Sequence, residues 1–66
     1  MDFGGRIKEL RMNKGITQKQ LADMLYISSQ AVSKWERGKS LPDINILPRL
    51  AVALGVNISD FFSVLD

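Results

Sequence analysis

Apolar positions along this 66-residue chain recur at helical intervals, and no stretch alternates long enough to make a strand. Phe3, Ile7 and Leu10 lie on one stripe, and Gly15 is placed to close that first helix. Thr17 stands three residues before Gln20, which is the spacing of a capping box: each side chain satisfies a backbone N–H at the helix start. Ile16 and Leu21 flank that box as a hydrophobic staple. The spacing predicts a second helix over 17–25 with Leu21, Ala22 and Leu25 facing inward.

A third helix follows almost at once. Ser28 is a good N-cap, Ile27 and Val32 form another staple, Trp35 continues the apolar stripe, and Gly38 ends it. Residues 39–43 form a loop rich in helix breakers. Pro48 is tolerated only in a first turn, so the fourth helix is expected to start near Asn45–Leu47 and to end at Gly55. Asn57 caps a fifth, in which Ile58, Phe61, Phe62 and Leu65 follow one apolar face. The expected architecture is all-α: a compact five-helix bundle forming one domain over residues 1–66.

The second and third helices are joined by only Tyr26 to Ser28. So short a connection forces a sharp crossing and fits a helix-turn-helix, whose second helix enters the major groove of DNA. Ser28, Ser29, Gln30, Ser33 and Lys34 lie on the side of the third helix away from Val32 and Trp35. Gln pairs bidentately with adenine, Lys with guanine, and Ser with several base edges. On an isolated helix these would read as ordinary solvated residues; the tight preceding turn favours base reading.

The segments ITQKQLA, ISSQAVSKWERGKSLPD and ALGV, in this order and spacing, carry a resemblance to the phage-repressor or Xre-type helix-turn-helix family, the lambda-repressor-like fold. It covers roughly Arg6 to Phe62. The resemblance implies a sequence-specific double-stranded DNA-binding protein acting as a transcriptional regulator, repressor-like, with residues of about 28–37 as its recognition helix. It implies a homodimer, at least on DNA, on a palindromic operator, and a cytoplasmic, prokaryotic or phage protein of the nucleoid. By the same resemblance Ser29, Gln30, Ser33 and Lys34 are the base-contact residues, and Ala31 offers its methyl to a thymine. Gln18, Lys19, Ser28, Arg37 and Lys39 are the phosphate-contact residues, with the start of the second helix aiming free N–H groups at the anion.

Four positions carry more than a simple transfer of roles. Arg11 and Glu36 border apolar faces, and matching residues in the family form an ion pair between the first and third helices, so the pair is read as structural. Relatives commonly have Asn where this chain has Arg37, so its phosphate contact must have a different geometry. Tyr26 stands where the family usually has Gly, because the backbone there is left-handed; a non-Gly residue carries a strain of about 1–2 kcal/mol in that conformation. Trp35 and the Phe61–Phe62 pair fit a core role better than stacking platforms for single strands. Val64 and the junction of the fourth and fifth helices remain as candidates for a dimer surface.

Composition excludes more than it identifies. Cysteine and histidine are both absent, which removes disulfides, Cys/His zinc sites, Ser-His triads and thiol nucleophiles. Seven carboxylates without such partners suggest no enzyme, no metal and no cofactor. No apolar run approaches a membrane span. The alternative to DNA reading is a protein-interaction module, an antitoxin-like adaptor that keeps the fold; such a module would tolerate acidic or bulky apolar residues on the face that here carries Ser, Gln and Lys. The net charge of +2 is unevenly spread. Residues 1–40 hold eight basic and four acidic groups, whereas residues 41–66 hold one and three. The basic excess thus falls on the half with the helix-turn-helix, as a phosphate-facing surface requires.

Overall fold

The computed structural model describes residues 2–65, with side chains over residues 2–62. Four α-helices and two 3-10 segments account for the order of elements: α1 (Phe3–Lys14), α2 (Gln18–Leu25), α3 (Ser29–Glu36), a 3-10 turn (Ile44–Ile46), α4 (Leu47–Leu54) and a C-terminal 3-10 helix (Ile58–Leu65). No strand occurs among the described residues.

Local chemistry sets the helix boundaries. The Asp2 carboxylate accepts the Gly5 N–H at 2.7 Å and opens α1, and Gly15 closes it at φ 80°. Both bonds of the capping box are made: Gln20 N–H to Thr17 Oγ1 at 3.0 Å and Thr17 N–H to Gln20 Oε1 at 2.8 Å. Ser28 Oγ accepts the Ala31 N–H at 3.2 Å at the start of α3. Pro48 occupies the first turn of α4, where its missing N–H has no helical partner to lose, and the 3-10 turn before it absorbs the entry.

The core is one cluster. Ile7 and Leu10 of α1 meet Leu21, Ala22 and Leu25 of α2, Val32 and Trp35 of α3, and Leu50, Ala51, Ala53 and Leu54 of α4, with Phe61 inserted from the C-terminal segment. Trp35 and Phe61 are therefore core side chains. Gly4 lets α1 approach the end of α3: a Cβ built there would lie 2.1 Å from the Trp35 carbonyl oxygen. Only a residue without a side chain fits that contact.

The C-terminal segment departs from the expected fifth α-helix. Asp60 N–H bonds the Asn57 carbonyl three residues back at 2.9 Å, and Arg6 Nε on α1 takes the Asp60 carbonyl at 2.8 Å. With about three residues per turn, Ile58 and Phe61 align along the axis while Phe62, four residues after Ile58, falls about a third of a turn away from that row. Phe61 is buried, but Phe62 remains 44% exposed and Ile58 41% exposed, so neither is the core residue that helical spacing suggested. Phe62 and Phe61 both pack against the Phe3 ring, with centroids 5.7 and 5.9 Å away. The side chains of Leu65, expected on the same face, and of Val64, expected at a dimer surface, lie outside the described residues.

Candidate nucleic-acid interface

The link between α2 and α3 is as short as the sequence suggested, and Tyr26 bends it. Its backbone is left-handed, φ 58° and ψ 42°, the one non-glycine with positive φ among the described residues. Tyr26 N–H bonds the Asp23 carbonyl at 3.3 Å and Ile27 N–H reaches the Ala22 carbonyl at 3.0 Å, the paired bonds that close a helix on a left-handed residue. The Tyr26 ring is 90% exposed, so side-chain packing does little to offset the backbone strain. A brace comes instead from α4, where Arg49 Nη2 donates to the last carbonyl of α2, Leu25 O, at 2.8 Å. Sequence reasoning missed Arg49; its one signal was to be the lone basic residue of 41–66.

Below this turn α3 is amphipathic. Val32 and Trp35 are buried against α1 and α2, which turns Gln30 and Lys34 fully outward and leaves Ser29 and Ser33 half-buried beside them. All four proposed base readers therefore share the outer side of one helix. Ala31 lies lower on it and packs against the core edge. Ser28 is committed to its capping bond. Arg37, just past α3, folds back so that Nε donates to Ser33 Oγ at 3.2 Å and to Ser33 O at 3.4 Å. Gly38 follows at φ 74°, and Lys39 N–H bonds the Lys34 carbonyl at 2.8 Å, which holds the exposed Lys39 next to the end of α3.

The start of α2 opens onto a shallow cleft of about 570 Å³ between α1 and α3, lined among others by Gly15, Thr17, Gln18, Lys19 and Ser29. The capping box uses the N–H groups of Thr17 and Gln20; those of Gln18 and Lys19 belong to the first turn, where no helical carbonyl precedes them. Lys19 Nζ lies 3.4 Å from Asp23 Oδ2, with both side chains largely in solvent, so this ion pair constrains little.

Beside the cleft, whose lining includes Arg11 and Gln18, α1, α2 and α3 are tied together. Arg11 Nε meets Glu36 Oε2 at 2.6 Å and Nη2 meets Oε1 at 3.0 Å, while Nη1 donates to the Ile16 carbonyl at 2.9 Å. Gln18 Nε2 adds a third bond to the Glu36 carboxylate at 3.0 Å. The hydrogen bond to Glu36 raises the Arg11 guanidinium above its ordinary value; burial opposes it, and the carboxylate's charge adds to the rise. Gln18, assigned from sequence to phosphate contact alone, thus also joins the Arg11–Glu36 pair. Eighteen residues separate it from Glu36, and no local pattern announces such a bond. No group of three potential metal ligands occurs among the described residues, and no helix among them is long and apolar enough to cross a membrane.

Comparison with known proteins yields concordant matches. A helix-turn-helix family model matches residues 7–61. The HTH-type transcriptional activator BcrR of Enterococcus faecalis is 40% identical over 63 residues, covering 96% of this chain and 31% of that protein. The prophage-derived HTH-type transcriptional regulator YonR of Bacillus subtilis is 44% identical over 59 residues, 89% of this chain and 54% of that protein. The chain therefore spans from just under a third to about half of the length of these relatives. Among solved structures, the P22 c2 repressor in complex with a synthetic operator superposes with a TM-score of 0.85 at 31% identity, covering 92% of each chain. The restriction-modification controller protein C.AhdI of Aeromonas hydrophila gives 0.85 at 33% identity over 91% of each.

Proposed function

Because this chain belongs to the helix-turn-helix family of transcriptional regulators, which are DNA-binding proteins and not enzymes, we propose that it is a sequence-specific reader of double-stranded DNA with repressor-like action. In this reading α3 lies in the major groove, where Ser29, Gln30, Ser33 and Lys34 meet base edges. The α2 start, through Gln18, Lys19 and the first-turn N–H groups, and the segment after α3, through Arg37 and Lys39, clamp the flanking phosphates. Ser28 adds a hydroxyl beside the same backbone. Residues 1–66 act as one DNA-binding domain, in the cytoplasm.

The observation that carries the proposal is the side-chain set on the outer face of α3. Uncharged hydrogen-bonders and one lysine stand there on the side away from the core, on a helix whose far end is held by the Arg11–Glu36 pair and whose preceding turn is braced by Arg49 at the end of α2. One helix covers only a few base pairs, so two copies on a two-fold operator are the form such a reader takes. The phosphate clamp supplies affinity without sequence information, whereas the α3 face supplies choice. Selection of bound duplexes from a random pool tests this: enrichment of a palindromic site supports it. A pool that stays random would move the chain to the protein-interaction reading.

A further inference from the structure

Ser29, Ser33 and Arg37 are spaced four residues apart and form one row along the outer side of α3, next to the row of Gln30 and Lys34. Within that row Arg37 Nε donates to Ser33 Oγ at 3.2 Å while also touching the Ser33 carbonyl at 3.4 Å. A serine hydroxyl has one proton to give and two lone pairs to receive with. One lone pair here faces a cationic donor, and a charge-assisted bond of this kind polarises the O–H outward. A second N–H directed at the same oxygen would be repelled by the guanidinium.

We propose that Arg37 acts on base choice through Ser33, setting its hydroxyl as a hydrogen-bond donor, so that the base facing it must present an acceptor. In the major groove guanine offers N7 and O6, adenine N7 and thymine O4, but cytosine offers only its N4 amino donor. Cytosine is the base this arrangement rejects. Arg37 is then a positioning residue for specificity as well as a source of positive charge, and the outer edge of its guanidinium stays available to a phosphate. The inference rests on the DNA-reading function proposed above and specifies one position of its site.

The test is three parallel selections from one random duplex pool, with the unaltered protein, Ser33→Ala and Arg37→Ala. Arg37 is exposed, so its removal leaves the core untouched. Ser33→Ala identifies the position that Ser33 faces, as the one whose preference it relaxes. With the unaltered protein, cytosine at that position is expected to be depleted about tenfold, the scale of a single good base contact. Arg37→Ala is expected to return cytosine toward parity there and to leave the preferences at other positions in place. Cytosine accepted by the unaltered protein, no position relaxed by Ser33→Ala, or cytosine still as depleted there with Arg37→Ala would each overturn the assignment while leaving sequence-specific binding intact. A pool with no enrichment at all overturns the DNA-reading function and this inference with it.

Discussion

Arg11 of α1 holds Glu36 at the end of α3 through two bonds, 2.6 and 3.0 Å long, with the side chains only 11% and 2% exposed. The recognition helix is thereby fixed to α1 at its far end, and Gln18 links the same carboxylate to the start of α2. Arg11→Ala leaves a buried charge facing only the Gln18 amide. It is expected to destabilise the fold by roughly 3–5 kcal/mol, the range for breaking one side of a buried pair. Urea unfolding measures this; a loss under about 1 kcal/mol would show that the pair contributes as weakly as a surface one. The raised Arg11 value fixes the pH dependence on its side. Its contribution is complete below the unfolded arginine value and fades only at strongly alkaline pH, so it does not vary across neutral pH.

Tyr26→Gly should be neutral or stabilising by up to about 1 kcal/mol, because glycine relieves the left-handed strain but adds freedom to the unfolded chain. The exposed ring contributes little packing to lose. Thermal melts read the change directly; marked destabilisation would mean that the Tyr26 side chain holds the turn.

Gly4 supports the end of α3 that Arg11 also holds through Glu36. A methyl group there meets the Trp35 carbonyl oxygen at 2.1 Å, with the Glu36 carbonyl oxygen 3.1 Å away. Both are backbone atoms and cannot swing aside. Gly4→Ala is expected to lower stability by about 1–3 kcal/mol despite alanine's better helix propensity. A gain in melting temperature would contradict the close approach of α1 to α3.

What was legible in the sequence is what depends on near neighbours. Thr17 and Gln20 lie three apart and cap each other; Gly15 and Gly38 end helices because their own backbones turn left-handed. The stripes through Ile7, Leu21 and Val32 follow the helical repeat. Bonds between distant segments leave no such trace: Arg49 on Leu25 O, Gln18 on Glu36, Gly4 on Trp35 O. The C-terminal segment shows the limit of periodicity. The i, i+3 spacing of Ile58 and Phe61 suits an α-helix and a tighter one alike, and the Arg6 bond to Asp60 O, fifty-four residues away, accompanies the tighter form. Of the candidate site, residue types on the α3 face were readable, whereas the coupling of Arg37 to Ser33 depends on a rotamer that sequence does not specify.

Lys39 stands exposed beyond the recognition helix, on a backbone pinned to Lys34 O. Lys39→Ala should weaken binding to all duplexes alike and flatten the logarithmic salt dependence by about one unit. Binding titrations at several salt concentrations check this. An unchanged slope would remove Lys39 from the phosphate clamp.

The central claim is that the outer face of α3 chooses among DNA sequences, and Gln30 at its middle tests it most directly. The measurement is the ratio of affinities for a selected operator and a scrambled duplex at one fixed salt concentration, for the unaltered protein and for Gln30→Ala. A ratio on the order of a thousandfold or more is expected for the unaltered protein. Gln30→Ala is expected to reduce operator affinity by about 1–3 kcal/mol with little change on the scrambled duplex. A ratio near one, or equal losses on both duplexes, would contradict a reading role for this face.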